Sequence, residues 1–170
     1  ALFTTNRDVS VSYTAMHGVG GKPVMQAFQA AGFAQPFAVP EQHEPDGDFP
    51  TVSFPNPEEP GAFDRVIAVA QRHNADAALA NDPDADRLAM AVPRRSGDGF
   101  VALSGNEVGV LLADHVLRHT SGDDRVMARS VVSSRQIDAM AARVGLAVEV
   151  TLTGFKWVAR PILTRAPSPY

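Results

Sequence analysis

The order of hydrophobic patterns along the chain constrains its fold more than any other feature. Apolar residues at alternate positions of VSVSY, residues 9–13, predict a half-buried strand, whereas Phe63, Val66 and Ala70 recur at helical spacing. Strand and helix patterns of these two kinds alternate from residue 9 to residue 150. Such alternation predicts βαβ units. We therefore expect an α/β protein of two small three-layer units, each with a mostly parallel mixed sheet.

The segment RRSGDGF, residues 94–100, predicts a hairpin or a junction between the two units, because Gly97 and Gly99 favour tight turns. We place the boundary there, with a first domain at residues 1–96 and a second at residues 97–170. The chain ends in RPILTRAPSPY, in which no closing helix or strand is recognisable. The second domain is therefore expected to be incomplete at its C-terminal end.

The segment LANDPDADRLAMAV, residues 79–92, places Asp82, Asp84 and Asp86 at alternate positions between two strand-like stretches. In an extended or turning backbone such residues point the same way, and three converging carboxylates repel one another unless a cation lies between them. Oxygen ligands suit a hard ion such as Mg²⁺. Arg87 could hold one carboxylate in place or bind a phosphate that also contacts the metal. The simpler interpretation of Arg87 is a surface ion pair, which the residue alone favours.

Two other interpretations of this segment need to be weighed. The simpler one is a solvated acidic turn. The other is a calcium loop of the helix–loop–helix type, which needs Gly at its sixth position and Glu at its twelfth. Counted from Asp82, these positions hold Arg87 and Pro93. Since the flanking stretches also predict strands, the sequence argues against the calcium loop and leaves the acidic turn open.

A glycine turn, HGVGG at residues 17–21, follows the first predicted strand. It precedes a predicted helix that has Pro23 in its first turn and ends at Gly32. Backbone N–H groups at such a turn could face an anion. The segment lacks the glycine spacing of nucleotide-binding loops. We therefore favour a tight turn that requires positive φ, with His17 as a packed or hydrogen-bonded residue.

Two strand ends in the second domain carry hydroxyl and basic side chains, in SVVSSR at residues 130–135 and in TLTGFKWVAR at residues 151–160. One serine is explained as a helix cap, and an arginine in the first turn of a helix indicates an anionic partner. Lys156 is either simply solvent-exposed or, as a lysine beside a glycine turn at a strand end, a plausible contact for a sugar phosphate. The residues of interest in the two segments are Ser133, Ser134, Arg135, Thr153, Gly154 and Lys156.

The composition excludes several classes of function. The net charge of −4 argues against a nucleic-acid-binding protein, because phosphate contacts need an excess of positive charge. The lack of cysteine excludes disulfides and thiolate metal sites. No stretch approaches the roughly 18 to 20 apolar residues of a membrane-spanning helix, and no secretory signal is recognisable. We therefore expect a cytoplasmic enzyme with no nucleic-acid partner and no membrane partner.

Taken in order, several segments resemble the α-D-phosphohexomutase superfamily, in particular its phosphoglucomutase/phosphomannomutase and phosphopentomutase branch. The segments are YTAMHGVGG, FPTVSFPNPEEPGAFD, LANDPDADRLAMAV, LSGNEVGVLLADH, SVVSSRQID and TLTGFKWVAR. They extend over nearly everything from Val9 to Arg160. Enzymes of this family have four domains. The resemblance implies that this chain contains the second and the third, and that domains I and IV are missing from it.

For the site, the resemblance implies that Asp82, Asp84 and Asp86 bind Mg²⁺, which also contacts the phosphate of an active-site phosphoserine. Arg87 would lie beside that phosphoserine and support catalysis. The resemblance also implies a sugar-phosphate site, and the residues assigned to it are Thr153, Gly154 and Lys156, with Ser133, Ser134 and Arg135 nearby.

The implied reaction is an intramolecular phosphoryl transfer, catalysed by an isomerase. It runs between C1 and C6 of a hexose phosphate, or C1 and C5 of a pentose phosphate, through a bisphosphorylated sugar. The family's serine loop, of the form T-A-S-H-N-P, does not occur in this sequence, and TAMHG has Met16 where the nucleophile would be. We therefore expect the chain alone to be inactive. The alternative is a non-catalytic sugar-phosphate-binding module or a decayed copy.

Overall fold

A computed structural model of the chain describes residues 6–122 and 125–165. The chain divides after Gly105 into two compact units. The elements of the first unit are β1 Val11–Thr14, α1 Gly21–Ala30, β2 Phe37–Ala38, a 3₁₀ helix Pro40–Gln42, α2 Asp64–His73, β3 Ala77–Asn81, β4 Leu88–Pro93 and β5 Phe100–Leu103. The later elements are α3 Gly105–His119, β6 Met127–Ser130, α4 Gln136–Arg143, β7 Val148–Thr151 and α5 Phe155–Arg165. The predicted α/β class is confirmed.

The five strands of the first unit form one mixed sheet in the order β2-β1-β3-β4-β5. β1 pairs in parallel with β2 and with β3, whereas β4 is antiparallel to both β3 and β5. Thr14 lies opposite Ala80, so β1 and β3 end at the same edge of the sheet. Asn81 lies opposite Leu88, which makes residues 82–87 the connection of an antiparallel hairpin. This topology brings the glycine turn after β1 and the three aspartates to one edge.

The core of the first unit lies between α2 and the parallel part of the sheet. α2 packs against β1, β2 and β3. Its buried residues Val66 and Ala70 belong to the same apolar cluster as Ala78 and Ala80 of β3. Val66 is fully buried, and burying a valine side chain stabilises a fold by about 1.5 to 3 kcal/mol. The helix ends at Asn74, whose left-handed backbone, with φ of 50°, lets its N–H group bond the carbonyl groups of the last turn.

The second unit is built around two parallel strands. β6 and β7 pair so that Met127 lies opposite Val148 and Ser130 lies opposite Thr151. α5 packs on both strands and α4 packs on β7. Because the strands run in the same direction, the connections that follow them leave from the same end of the pair. These are the connections that carry the candidate sugar-phosphate residues.

Of the two alternatives predicted for residues 94–100, the structure shows the hairpin, whereas the C-terminal segment differs from the sequence-based expectation. β5 pairs with β4, so the first unit extends to Gly105 and the segment at residues 94–100 is a hairpin turn, closed by a 3.0 Å hydrogen bond from Arg94 N–H to the Gly99 carbonyl. α5 occupies part of the C-terminal segment for which the sequence predicts no element, with Pro161 inside the helix. Residues 166–170, the last part of that segment, lie outside the described residues.

Within the described ranges, no helix combines the length and the apolar character that crossing a membrane requires.

Candidate functional site

The three aspartates converge at the carboxyl end of β3. Asp82, Asp84 and Asp86 each offer one carboxylate oxygen, and these oxygens lie within 4.8 Å of one another. Asp82 is buried, whereas Asp84 and Asp86 are exposed. Ala85 has a φ of 59°, in the left-handed region that residues with a β-carbon seldom adopt. The backbone bends sharply at Ala85, so both exposed carboxylates reach the space beside Asp82.

Arg87 fixes the orientation of the Asp82 carboxylate. The backbone N–H of Arg87 donates to Oδ1 of Asp82 at 3.0 Å, and its Nε donates to Oδ2 at 2.7 Å. Burial raises the pKa of Asp82, but the hydrogen bonds from Arg87, together with one from Asp84 and the Arg87 charge, outweigh burial and hold the pKa below its ordinary value. Asp82 is therefore ionised at neutral pH although its side chain is only 2% exposed.

Asp86 has the opposite shift. The Asp84 charge, followed by desolvation and the Asp82 charge, raises the pKa of Asp86, even though Nε of Arg87 lies 3.7 Å from its Oδ1. The shift reflects repulsion among three neighbouring carboxylates. A divalent cation would relieve that repulsion, and carboxylate oxygens are the hard donors that Mg²⁺ prefers. The residues present at this site therefore fit a hard divalent cation.

Arg87 is also contacted from the proline-rich segment, residues 36–60, which precedes α2. Nη1 of Arg87 donates to Oδ1 of Asn56 at 3.3 Å. The same oxygen accepts the backbone N–H of Glu58 at 3.1 Å, which orients the amide in a local turn. Sequence reasoning missed Asn56, because the proline-rich segment shows no periodicity that predicts where it packs.

The glycine turn after β1 packs directly on the aspartate segment. Val19 N–H donates to the Pro83 carbonyl at 2.8 Å. A β-carbon on Gly18 would overlap the backbone of Pro83, and one on Gly20 would lie 2.7 Å from the Tyr13 hydroxyl oxygen. Only glycine permits this close approach, so the turn forms one side of the aspartate segment.

The backbone conformation of the turn differs from the expectation of positive φ at its glycines. Positive φ occurs instead at Met16 and His17, with values of 48° and 63°. His17 is packed and hydrogen-bonded, as predicted: it is buried, and its Nε2 lies 2.7 Å from Oγ1 of Thr51. Thr51 also accepts a hydrogen bond from Nε2 of Gln42 at 2.8 Å. The turn is thus tied to the proline-rich segment through buried polar groups.

The six candidate sugar-phosphate residues lie on the two connections after β6 and β7 and at the start of α5. Ser133, Ser134 and Arg135 are on the first connection, Thr153 and Gly154 are on the second, and Lys156 is the second residue of α5. The connections begin side by side, because Val131 N–H donates to the Thr151 carbonyl at 2.8 Å. The Arg135 and Lys156 side chains are exposed. Gly154 has a φ of 118°, a conformation that only glycine adopts readily.

Hydrogen bonds hold the first connection, which joins β6 to α4, at several points. The Ser134 N–H donates to Oδ1 of Asn106 on α3 at 2.8 Å, and the hydroxyl oxygens of Ser130 and Ser133 lie 2.9 Å apart. The Ser134 hydroxyl accepts the Gln136 N–H at 3.2 Å in a local turn. The expected serine cap is not observed, because the N-cap of α4 is Arg135 and no side chain caps the helix. Asn106 is a contact that sequence reasoning did not single out.

A buried arginine on β6 ties the strand to α4. Nε and Nη2 of Arg129 donate to the two carboxylate oxygens of Asp138 at 2.6 and 2.7 Å. These hydrogen bonds lower the pKa of Asp138 against a smaller opposing effect of desolvation. The Arg129 side chain is only 7% exposed. The pair fixes the first turn of α4 relative to β6, and therefore fixes the two ends of the first connection, which carries Ser133 and Ser134.

Comparison with known proteins identifies the family domain that each unit matches. The description "Phosphoglucomutase/phosphomannomutase, alpha/beta/alpha domain II" matches residues 3–97, and the corresponding domain III matches residues 104–166. A solved structure of a phosphoglucomutase/phosphomannomutase family protein from Burkholderia thailandensis superposes with a TM-score of 0.73 at 23% identity, over 93% of this chain and 33% of that one. At this identity the superposition supports the fold alone.

Relatives with higher identity are named as mutases. A probable phosphomannomutase from Haemophilus influenzae is 46% identical over 153 residues, which cover 90% of this chain and 31% of the relative. Human phosphopentomutase is 43% identical over 166 residues, which cover 91% of this chain and 27% of the relative. This chain therefore spans less than a third of the length of either relative. It belongs to the phosphoglucomutase/phosphomannomutase family of the α-D-phosphohexomutase superfamily and contains domains II and III of that family.

Proposed function

We propose that the chain provides the metal-binding region and part of the sugar-phosphate-binding region of a cytoplasmic phosphohexomutase. The proposed reaction moves a phosphoryl group between C1 and C6 of a hexose phosphate, or C1 and C5 of a pentose phosphate, by way of a phosphoserine and a bisphosphorylated sugar. The observation that carries the proposal is the aspartate cluster. Its three carboxylate oxygens lie within 4.8 Å of one another, inside the segment that matches domain II.

In this proposal Asp82, Asp84 and Asp86 hold Mg²⁺. When bound, the ion supplies positive charge that stabilises the transferring phosphoryl group. Asp82 has a second task, because both of its oxygens accept hydrogen bonds from Arg87. The Arg87 side chain remains 54% exposed, so guanidinium N–H groups are available to donate to the phosphate of the phosphoserine. The same carboxylate therefore links the cation to the arginine.

The substrate's own phosphate would be bound by the second unit. Arg135 and Lys156 present exposed positive charges at neighbouring strand ends, and both charges attract a phosphate dianion. The hydroxyls of Ser133, Ser134 and Thr153 would donate to phosphate or sugar oxygens. The named relatives support a hexose and a pentose phosphate equally, since one is a probable phosphomannomutase and another a phosphopentomutase.

The cation site is tested by titrating the purified chain with Mn²⁺, followed by electron paramagnetic resonance, with Mg²⁺ as competitor. Asp84→Asn should weaken Mn²⁺ binding by about tenfold or more, since even residues that only support a ligand typically contribute about 10- to 100-fold in affinity. Asp98→Asn is the matched control, because it removes the same charge from the turn at the opposite end of β4. If both variants bind Mn²⁺ as the parent does, the cluster is an acidic turn.

Activity provides the second test. The sequence contains no T-A-S-H-N-P loop, so the proposal places the transferable phosphoryl group outside these 170 residues. We expect no conversion of glucose 1-phosphate, mannose 1-phosphate or ribose 1-phosphate by the chain alone, measured by ³¹P NMR. Turnover by the pure chain would contradict this division of labour. Binding of a sugar bisphosphate that is independent of Mg²⁺ would favour a non-catalytic binding module.

A further inference from the structure

We propose that Asn81 and Tyr13 are positioning residues for the cation site. Together they close the base of the aspartate segment, residues 82–87, and keep its carboxylates converged before a cation binds. The inference rests on the proposed cation site and concerns two residues that are not among its ligands. It extends the functional unit from the aspartates back to the first strand of the fold.

Asn81 joins the two ends of the aspartate segment. It is the last residue of β3, and its Nδ2 donates to the backbone carbonyl of Arg87 at 2.6 Å. The Arg87 N–H returns a hydrogen bond to Oδ1 of Asp82 at 3.0 Å. Both backbone groups of Arg87 are therefore held by side chains at the start of the segment, Asn81 just before it and Asp82 as its first residue. Asn81 is only 8% exposed, and a buried amide without partners would be destabilising.

Tyr13 determines which way the Asn81 amide faces. Its hydroxyl donates to Oδ1 of Asn81 at 3.1 Å, which leaves the Nδ2 group directed to the Arg87 carbonyl. A reversed amide would set two carbonyl oxygens against each other. Tyr13 is 1% exposed and lies on β1, where it is the register partner of Leu79 on β3. The orientation of the amide is thus set by a buried side chain of the neighbouring strand.

The glycine turn encloses this arrangement from the other side. A β-carbon on Gly20 would lie 2.7 Å from the Tyr13 hydroxyl oxygen and 3.1 Å from the Ala85 β-carbon. The Tyr13 hydroxyl and the bend at Ala85 therefore lie against the same glycine, at the same edge of the sheet. Asn81 and Tyr13 restrain the two ends of the aspartate segment. The glycine turn restrains its bend at Ala85, between Asp84 and Asp86.

The first measurement is Mn²⁺ affinity of the purified chain by electron paramagnetic resonance. Asn81→Ala should raise the Kd for Mn²⁺ about tenfold, the lower end of the effect of residues that orient metal ligands, and Tyr13→Phe should raise it several-fold. Ser12→Ala is the matched control, because it also removes a buried hydrogen bond from β1, the 2.9 Å bond to the Val66 carbonyl, but on the side of α2. It should leave the Kd unchanged. An Asn81→Ala affinity equal to that of the parent overturns the proposal.

The second measurement needs no cation and separates this proposal from the proposed function. Hydrogen exchange by NMR follows the amides of Ala85 and Arg87, which donate to Asp82, in the metal-free chain. Both amides should exchange faster in Asn81→Ala and in Tyr13→Phe, but not in Ser12→Ala. If the parent binds no Mn²⁺, the proposed cation site fails while exchange still decides the role of the two residues. Equal exchange in parent and Tyr13→Phe overturns that role, even if Asn81→Ala does not fold.

Discussion

The contact between the glycine turn and the aspartate segment predicts a large effect of one methyl group. In Gly18→Ala the added β-carbon would overlap the Cα and carbonyl atoms of Pro83, including its carbonyl carbon at 2.6 Å. These are backbone atoms, so no side chain can rotate away, and the two segments must separate. Separation breaks the 2.8 Å hydrogen bond from Val19 N–H to the Pro83 carbonyl. Overpacking costs about 1 to 3 kcal/mol and the hydrogen bond about 1 kcal/mol, which gives a total of about 2 to 4 kcal/mol.

Urea unfolding followed by far-ultraviolet circular dichroism measures this loss. The matched control is Gly47→Ala, since no atom lies within 4 Å of the added β-carbon there, and its free energy of unfolding should change by less than about 1 kcal/mol. The transition midpoint should fall in Gly18→Ala at an unchanged slope. The same variant should also bind Mn²⁺ more weakly, because Pro83 lies between two of the aspartates. Equal free energies of unfolding for Gly18→Ala and Gly47→Ala would refute the close packing of the glycine turn on the aspartate segment.

Two further predictions concern pH. Arg129 lowers the pKa of Asp138 below 3.8, so their ion pair stabilises the second unit above that pH, and the stabilisation disappears as pH falls through the lowered pKa. Asp138→Asn should therefore lose stability less steeply with falling pH in acid-unfolding curves. An unaltered curve would contradict this prediction. Burial raises the pKa of Tyr13 from 10.0 to about 12, so an ultraviolet titration should show one tyrosine ionising late. Between pH 10 and pH 12 the unfolded chain loses this proton first, and stability should fall by up to about 3 kcal/mol in the parent but not in Tyr13→Phe.

Local patterns predicted the elements whose formation depends on local spacing. The helical repeat that includes Val66 and Ala70 became α2. The alternation in VSVSY correctly predicted a strand, but not a half-buried one: all four residues of β1 are buried, because β1 lies between β2 and β3. The aspartate segment was correctly predicted to leave a strand. The convergence of its carboxylates follows from alternate spacing together with the bend at Ala85, and only the spacing is visible in the sequence.

Tertiary packing determined the features that sequence patterns did not reveal. No closing element is recognisable in RPILTRAPSPY, yet α5 continues through Pro161. A proline inside a helix removes a backbone hydrogen bond, and the packing of α5 on β6 and β7 supports the helix in spite of it. β5 joins the first sheet because it pairs with β4, and no residue in the turn at 94–100 distinguishes a hairpin from a domain junction. The hydrogen bond of Tyr13 to Asn81 spans 68 positions. No periodic signal encodes a contact of that separation.

The alanine at position 85 restricts the backbone between two of the three carboxylates. The left-handed conformation costs a residue with a β-carbon about 1 to 2 kcal/mol, whereas glycine there would give the unfolded chain more freedom and cost about 0.4 to 1 kcal/mol. The second cost offsets only part of the first, so alanine at this position is not explained by stability alone. It does restrict the backbone between Asp84 and Asp86 more than glycine would, and the carboxylate oxygens of these residues lie within 4.8 Å of one of Asp82. In the proposed cation site, this restriction would lower the chain entropy lost when a cation binds, because the ligand spacing is largely set when the protein folds.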